Sequence, residues 1–360
     1  MAGRRYLKWN NDTIGTIDDD WNLTFTVPRY NRVVALYAQA GTFWPSSQFY
    51  RFLEERLVSK DRRDIEKILF RLGLPAYDVF RITEITRAIH PKDLLWIAST
   101  ENETLNTVIT TVFDSVFHQK IDLNGDSLDS PEGQNIKRYG VFKGHYGIYK
   151  QRLNPLSTDT ESEIAVFLLA QKLGVSCCPA YFTDRDTIFS EFLFDFSREY
   201  IVHFRHLFNG ARSDNEYKNL ITVRPQYKNS IIKMMILDFI TRQDDRHLSN
   251  IAVKISGKTE TFYPLYDNGR SLFYEDTEET VQKAVRDIEN FTTVFGYAGT
   301  YWDHLRGIAG EEGGLAALAD ITLTRDEAAG ILWEACFTGY RFEGALEWIT
   351  GTTEMVRGLR

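Results

Sequence analysis

Apolar and polar residues alternate over residues 4–40, as in LKWNNDTIGTI and WNLTFTV. A period of two is typical of half-buried strands, and the Asn-Asn and Asp-Asp-Asp runs mark turns, so short antiparallel strands are predicted here. From 48 to 118 the apolar spacing becomes helical, in FYRFLEERL, DRRDIEKILFRLGL and KDLLWIAST, with Gly73 where the second helix would stop. The N-terminal third is therefore predicted to mix strands and helices.

A second series of elements follows the polar loop IDLNGDSLDSPEGQNIK at 121–137. RYGVFKG and YGIYKQRL are β-prone runs joined by a Gly-containing turn, which predicts a hairpin. TDTESEIAVFLLAQKLGV predicts a helix that Thr158 or Thr160 caps and Gly174 ends. DTIFSEFLF and REYIVHFRHLF predict two more strands, separated by a turn at 195–197.

Helices are predicted to dominate the last third of the chain. YKNSIIKMMILDFITRQ places Ile232, Met235, Ile236 and Phe239 on one stripe, which indicates a buried helix. That helix leads directly into the polar segment RQDDRHLSN at 242–250. Because packing would fix the position of this segment, it is a favourable place for a functional site.

Composition sets the class of protein. The chain has 360 residues, 43% of them hydrophobic and 14% aromatic, enough for two or three globular lobes. A net charge of -8 argues against direct nucleic-acid binding as the main role. No stretch is long and apolar enough to span a bilayer, and MAGRRYLKWNND lacks the apolar core of a signal peptide, so we expect a cytoplasmic protein without a membrane partner.

The polar segment and the next carboxylate suggest metal chemistry. Asp245 and Asn250 are five positions apart, a spacing suited to a loop whose two ends face a common point. Asp267 follows where the predicted strand FYPLY ends in Asp-Asn-Gly, and a carboxylate at a strand end commonly presents a metal ligand. An amide oxygen and a carboxylate suit Mg²⁺, which takes further ligands from nucleotide phosphates. Phosphoryl transfer also needs a second carboxylate to deprotonate the acceptor hydroxyl, and Asp245 is available for that role.

A cation for the phosphates must come from another part of the chain. Lys150 lies on a predicted strand ahead of a helix that carries Glu161 and Glu163, and protein kinases pair such a Lys with a helix Glu. The same pattern is also ordinary surface, so it does not decide the function alone.

A phosphate-binding loop is predicted just before the first of these strands. SPEGQNIK offers Ser130, Gly133 and Lys137 in a loop whose backbone amides can cradle phosphate. The predicted elements follow the order of a two-lobed kinase: a phosphate loop, a hairpin with Lys, a helix with Glu, two strands, a buried helix, a DxxxxN loop and an Asp at a strand end.

With those segments together, the chain resembles the HipA-like serine/threonine kinases, whose DRHxxN loop is also similar to that of phosphoinositide kinases. The resemblance is carried by SPEGQNIK, YGIYK, ESEIAVFLLAQKLG, DDRHLSN and YDNGRSL. It implies an α+β, two-lobed protein-kinase-like fold. A mixed N-terminal region is then expected over 1–120, a nucleotide-binding N-lobe over 121–205 and a helical C-lobe with the catalytic and metal-binding loops over 206–360.

The resemblance also implies roles for individual residues. It makes Asp245 the general base, Asn250 and Asp267 the magnesium ligands, Lys150 the nucleotide-holding lysine and Glu163 the helix acid.

Three further residues match the phosphate loop of the family. Ser130, Gly133 and Lys137 share its S-x-x-G-x-x-x-K spacing, and the serine of that loop can be autophosphorylated.

His247 is counted with the catalytic residues because it is expected to position Asp245, as is Arg246. The adenine is expected near the backbone of Glu199 and Ile201, where the chain passes from strand to helix.

Two positions depart from the family pattern. The family often has Asn two residues before the base, where this chain has Gln243. The doubled Asp244-Asp245 leaves the register ambiguous, and the five-residue spacing to Asn250 favours Asp245 as the base.

The leading expectation is thus a serine/threonine kinase that uses ATP and Mg²⁺, acts on a protein substrate, and has a toxin-like or stress-related role with an antitoxin as partner. Two alternatives stay open: a kinase acting on a lipid or small molecule, and a nucleotide-binding pseudokinase that serves as an interaction module.

Overall fold

The computed structural model describes residues 4–26, 43–58, 60–61, 65–89, 95–105, 107–108, 137–195, 199–207, 216–292, 299–310 and 322–359. The chain folds as two compact units. The first comprises Met1–Gln151, Phe194–Val202 and Ile255–Thr259; the second comprises Arg152–Leu193, His203–Lys254 and Glu260–Arg360. Among the described residues, none of the helices combines the length and the apolar character that crossing a bilayer requires.

A five-stranded antiparallel sheet organises the first unit. Its strands are β1 (Arg5–Trp9), β2 (Asp12–Ile17), β3 (Leu23–Phe25), β4 (Phe43–Trp44) and β5 (Leu95–Ala98), in the order β4-β3-β2-β1-β5. The strands predicted from LKWNNDTIGTI and WNLTFTV are confirmed as β1, β2 and β3, which pair antiparallel. Their apolar residues Leu7, Ile14, Ile17, Leu23 and Phe25 are buried.

The helical pattern after residue 48 is partly confirmed. The first unit contains α1 (Ser46–Glu54), α2 (Ile65–Arg71) and α3 (Val79–Thr86). Gly73 follows α2 with a φ of +67°, as expected of a residue that stops a helix. The helix predicted from KDLLWIAST is wrong, because Leu95–Ala98 form the fully buried strand β5 against β1. A short apolar run fits a buried strand and a buried helix equally well.

The predicted Gly-containing hairpin is confirmed. It consists of β6 (Lys137–Phe142) and β7 (His145–Gln151), which pair antiparallel. Lys143 and Gly144 form its two-residue turn, both with positive φ, the backbone that matches the twist of paired strands.

The second unit begins with α4 (Asp159–Lys172), β8 (Ala180–Phe182) and β9 (Thr187–Glu191). The helix predicted around ESEIAVFLLAQK is confirmed, and Gly174 ends it at a φ of +64°. Strand β8, which pairs antiparallel with β9, was not predicted.

The strand predicted from REYIVHFRHLF is only half correct. β10 (Glu199–His203) is extended, but Phe204–Leu207 form one helical turn, α5. The Phe204 side chain is fully buried and its N–H donates to the Ile251 carbonyl at 2.8 Å. This tertiary contact outweighs the strand propensity of the sequence.

Helices then make up most of the second unit. They are α6 (Glu216–Val223), α7 (Lys228–Ile240), α8 (Glu278–Arg286), α9 (Tyr301–Ala309), α10 (Arg325–Glu334) and α11 (Gly339–Gly358), with 3-10 turns at Pro225–Tyr227, Leu248–Asn250 and Ile288–Asn290. Between α7 and α8 the chain also forms β11 (Ala252–Ser256) and β12 (Thr259–Phe262), which are neighbours in a three-stranded sheet. The predicted burial of α7 is confirmed. Phe239 packs against Trp348 of α11, whose indole N–H donates to the Phe239 carbonyl at 2.9 Å.

Close packing also joins α8 and α11. A Cβ on Gly344 would lie 2.1 Å from Cγ1 of Val281, so the absence of a side chain lets these helices meet. Together these contacts build the apolar core on which the polar loop after α7 rests.

Candidate active site

The polar segment leaves α7 through a sharp backbone turn. Arg242 has a φ of +50°, and its guanidinium is paired with Asp276 at 2.8 Å. Gln243, which follows, is 1% exposed, and its backbone N–H donates to the Asp238 carbonyl of α7 at 2.8 Å. The start of the loop is therefore tied to the helix that delivers it.

The Gln243 side chain joins the two segments that carry the predicted site. Its Oε1 accepts a hydrogen bond from the backbone N–H of Asp245 at 2.9 Å. Its Nε2 donates to the backbone carbonyl of Asp267 at 3.5 Å. Gln243 therefore fixes the backbone at the predicted base and at one predicted metal ligand.

Arg246 is the buried centre of the segment. Its guanidinium and the Asp238 carboxylate are both 0% exposed, and they form two parallel contacts, Nε to Oδ2 and Nη2 to Oδ1, each at 3.0 Å. Burial raises the pKa of Asp238 and Arg246 opposes that rise. Because an arginine stays charged throughout the physiological range, the two groups form an ion pair.

The same guanidinium reaches the loop and the strand end. Nη1 of Arg246 donates to the carbonyls of Asn250 and Tyr266 at 3.2 and 3.0 Å, and Nη2 donates to Oδ1 of Asn268 at 2.6 Å. One buried cation thus holds the residues on both sides of Asp267 and the backbone of Asn250. The expectation that Arg246 only positions Asp245 understates this role.

Asn250 and Asp245 are linked across the loop. The Asn250 side chain is 6% exposed, and its Nδ2 donates to the Asp245 carbonyl at 3.0 Å. Because the amide nitrogen is used there, Oδ1 is the atom that Asn250 can offer to a cation. The Asp245 carboxylate is partly exposed, which a base needs if it is to meet an acceptor hydroxyl.

Asp267 begins a segment of unusual backbone. Its φ is +57°, and Leu272 and Phe273 farther along also have positive φ. Such conformations cost free energy and are typical of functional sites. The strand predicted over FYPLY is wrong beyond Phe262, where β12 ends, so Asp267 does not directly follow a strand. The residues between them make an isolated bridge between Leu265 and Cys177, and Pro264 has no N–H for a ladder.

The segment after Asp267 packs on helix α4. A Cβ on Gly269 would lie 3.3 Å from the Asp159 carbonyl oxygen and 3.6 Å from Cγ of Glu163. The Ser162 hydroxyl donates to the Ser271 carbonyl at 2.8 Å. The close approach that glycine permits therefore brings the predicted helix acid beside the Asp-Asn-Gly turn.

The two glutamates of α4, Glu161 and Glu163, lie in different surroundings. Arg152, which precedes the helix, binds Glu161 through two contacts of 2.7 Å. This bidentate ion pair uses both carboxylate oxygens of Glu161. Glu163 is 3% exposed and lies against Gly269. Glu163 is therefore the better candidate for a part in the site.

Arg270 contacts both members of the Asp244-Asp245 pair. Its guanidinium lies 3.4 Å from Asp244 and 3.7 Å from Asp245. Burial raises the pKa of the Asp244 carboxyl to about 6, and Arg270 and Arg242 work against that rise. The side chains of Asp244 and Asp245 are 32% and 26% exposed, so both carboxylates are partly accessible.

His247 caps the 3-10 turn of the loop. Its side chain is exposed, its Nδ1 accepts from the Ser249 N–H at 3.2 Å, and its backbone N–H donates to the Asp245 carbonyl at 2.8 Å. The Ser249 carbonyl in turn accepts from the hydroxyl of Tyr266 at 2.9 Å and contacts the His203 ring. These contacts hold the loop in shape.

Four of the predicted nucleotide-holding residues lie in the first unit, namely Lys137, Lys150, Glu199 and Ile201, and Glu163 lies in the second. Lys150 and Lys137 are directly opposite each other in the β6-β7 register and are 6% and 8% exposed. Lys137 is thus the first residue of a strand. Glu199 accepts from the Asp195 N–H at 2.9 Å through Oε2, and Ile201 is buried in β10.

Ser130 and Gly133 lie outside the described residues. The phosphate loop predicted from SPEGQNIK stays a prediction.

The donor set suits magnesium better than a softer metal. Asn250 and Asp267 offer only oxygen, the ligand that Mg²⁺ prefers, and Mg²⁺ commonly takes one or two protein carboxylates plus water and phosphate. Within the described ranges there is no group of three or more His, Cys, Asp or Glu residues placed to hold a metal ion by themselves.

Several residues of this site were missed by sequence reasoning. Asp238, Gln243 and Arg270 received no role, although a carboxylate inside the apolar run MMILDFI was a signal that a buried cation lies nearby.

No family model and no curated protein matches the sequence. Among solved structures, the chain is similar to the Helicobacter pylori proinflammatory kinase CtkA, with 15% identity and a TM-score of 0.52 over 68% of this chain and 94% of that one. It is also similar to a chain in the structure of the Shewanella oneidensis MR-1 toxin–antitoxin system HipA, HipB and its operator DNA. The identity is 14% and the TM-score 0.55, over 98% of this chain and 97% of that one. This likeness confirms the α+β, HipA-like kinase fold expected from the sequence.

Proposed function

We propose that this protein is a kinase that transfers the γ-phosphoryl group of ATP, with Mg²⁺, to a serine or threonine hydroxyl of a protein. The observation that carries the proposal is the Arg246 network. One buried guanidinium holds helix α7, the Asp245–Asn250 loop and the Asp267 turn in a fixed arrangement. A loop and a turn with these oxygen donors are the parts that phosphoryl transfer requires.

The proposed transfer step moves one proton and one phosphoryl group. The acceptor oxygen forms a bond to the γ-phosphorus while the bond from that phosphorus to the β–γ bridging oxygen breaks, and ADP leaves with the electron pair. In this proposal Asp245 takes the proton of the acceptor hydroxyl, because its carboxylate is partly exposed. Gln243 and Asn250 hold the backbone of Asp245 in place for this task.

Magnesium would be held by Oδ1 of Asn250 and the carboxylate of Asp267. When bound, it would neutralise charge on the nucleotide phosphates. Lys150 and Lys137 of the β6-β7 hairpin are proposed to bind the nucleotide phosphates, and Glu163 to support Lys150.

The remaining nucleotide contacts are proposed from the resemblance. The SPEGQNIK loop would cover the phosphates through Ser130 and Gly133, and Ser130 would be a site of autophosphorylation. The adenine would lie beside the backbone of Glu199 and Ile201.

Mass spectrometry after incubation with Mg-ATP tests the proposal. We expect phosphate on a serine or threonine of the protein itself or of an added protein mixture, and we expect none with Asp245→Asn. Asp186→Asn, which removes an exposed carboxylate of the second unit, is the matched control and should transfer normally.

The alternative functions give different outcomes. Label on an added lipid or small molecule, but on no protein, would indicate a kinase of that class. Stabilisation by Mg-ATP without any transfer would indicate a pseudokinase.

A protein partner is also proposed. The structure that contains HipA also contains HipB and operator DNA. By analogy, we propose that an antitoxin-like protein binds this chain and restrains its kinase activity. Co-purification of the chain with the products of adjacent reading frames, followed by the transfer assay, tests this; a partner that binds without lowering transfer would contradict it.

A further inference from the structure

Arg270 differs from the other arginines around the loop. Its guanidinium is 53% exposed and lies at ion-pair distance from both Asp244 and Asp245. Its backbone is fixed, because the Asp244 N–H donates to the Arg270 carbonyl at 3.3 Å, and its side chain lies over the Tyr274 ring at 5.5 Å. Arg270 thus carries a solvent-exposed charge on an anchored backbone.

The contacts of Arg270 are looser than those of a structural ion pair. Its distances of 3.4 and 3.7 Å exceed the 2.7 Å of the Arg152–Glu161 pair, whose members are each 11% exposed. Charge-assisted hydrogen bonds are normally about 2.7–2.9 Å long. The Arg270 guanidinium therefore keeps donors that a ligand can engage.

The other basic residues of the 242–250 loop already have partners within the protein. Arg246 is buried against Asp238, and Arg242 is paired with Asp276 at 2.8 Å. His247 uses Nδ1 to accept from the Ser249 N–H at 3.2 Å.

From this geometry we infer that Arg270 contacts the transferring phosphoryl group, and that Asp244 holds its guanidinium while no phosphate is bound. The inference rests on the proposed function and adds a catalytic cation to it. Arginines placed on a transferring phosphoryl group stabilise its transition state in other kinases and nucleotide hydrolases.

The charges shift in step with the reaction. When Asp245 accepts the proton of the acceptor hydroxyl, its carboxyl loses the charge that faced Arg270. Negative charge is at the same time present on the phosphoryl oxygens next to the acceptor. The guanidinium then exchanges a carboxylate for phosphate without leaving the loop.

Substitutions of Arg270 and of Asp244 should have opposite effects on Mg-ATP binding. Arg270→Gln should weaken Mg-ATP binding about tenfold while Mg-ADP binding stays within about twofold, because only ATP presents the γ-phosphate. Asp244→Asn should strengthen Mg-ATP binding a few-fold, because it removes the competitor for the same guanidinium. Calorimetric titration of the wild type and both variants with ATP, with ADP and with ADP plus aluminium fluoride measures these affinities.

The transfer rate supplies an independent measurement. Arg270→Gln should slow transfer by roughly a thousandfold, and Arg270→Lys should recover part of the rate because it keeps the charge without the fork. Arg306→Gln, on helix α9, is the matched control: Arg306 is 58% exposed and paired with Asp303, and its loss should change neither binding nor rate.

The possible outcomes separate the two proposals. If the wild-type protein transfers phosphate and Arg270→Gln keeps its ATP preference over ADP and its rate, the inference is wrong and the kinase function stands. An equal loss of ATP and ADP affinity would make Arg270 merely structural, and a higher KM for the acceptor alone would make it an acceptor contact; either overturns the inference. A wild-type protein that binds ADP and ATP without transferring phosphate would sink the proposed function itself.

Discussion

Replacement of Asp238 by Asn tests whether Arg246 depends on its buried counter-charge. The two side chains have no exposure to solvent, and the carboxylate accepts from both Nε and Nη2 of Arg246. The amide is nearly the same size, so no cavity forms, but the negative charge is lost. Arg246 would remain buried with only neutral acceptors, Asn250, Tyr266 and Asn268.

The expected cost follows from the missing charge. Removing one partner of a buried ion pair typically costs about 3–5 kcal/mol, because the other charge is left uncompensated. A domain is usually stable by only about 5–15 kcal/mol, so the substitution should remove a large part of the free energy of unfolding.

Urea unfolding followed by tryptophan fluorescence and circular dichroism measures this loss. The control is Asp186→Asn, which breaks an exposed ion pair and leaves Arg152 bound to Glu161, so it should cost at most about 1 kcal/mol. Replacing both members of the buried pair, Asp238→Leu with Arg246→Met, should restore part of the stability yet leave phosphate transfer abolished, because the loop carbonyls lose their donor. A loss below about 1 kcal/mol in Asp238→Asn would refute the reasoning.

Three further predictions concern neighbouring features. Because the pKa of Asp244 is raised to about 6 in the folded protein, the free energy of unfolding should fall as pH rises from about 4 to about 6. Asp244→Asn should therefore be more stable than wild type by up to about 2–3 kcal/mol at neutral pH, and this difference should vanish at about pH 4. Urea unfolding at several pH values measures it. Gly344→Ala should destabilise by about 1–3 kcal/mol because its Cβ meets Val281, whereas Gly330→Ala, with no atom within 4 Å, should be neutral or stabilising in thermal unfolding. Gln243→Leu should lower kcat for phosphate transfer more than it changes KM for ATP, because it releases the backbone of the base; steady-state kinetics with equal changes in both would contradict this.

The regular elements were largely readable from residue patterns. Helix α7 follows from its apolar period, α4 from its acidic first turn and Gly174, and the β6-β7 hairpin from its glycine-containing turn, all of which are local signals. The errors came where a distant contact decides. The LWIA run forms a strand because β1 supplies its partner, and Phe204 turns helical because the Ile251 carbonyl accepts its N–H.

The site was readable only in part, for the same reason. The spacing of Asp245, Asn250 and Asp267 predicts oxygen chemistry, and the solved structures bear on the fold. The parts that position these residues depend on side chains that meet in space and are distant in sequence. Nothing local in Gln243 or Arg270 tells that the first reaches the Asp267 carbonyl or that the second faces two carboxylates.

The shared guanidinium of Arg246 also limits how the protein can be recombined. A distant relative that receives only residues 242–250 of this chain would gain Arg246 beside a helix that need not carry the counterpart of Asp238 and a turn that need not carry the counterpart of Asn268. Helix, loop and turn are therefore expected to be transplanted together or to fail together. Designers who borrow this loop should treat the three segments as one cassette.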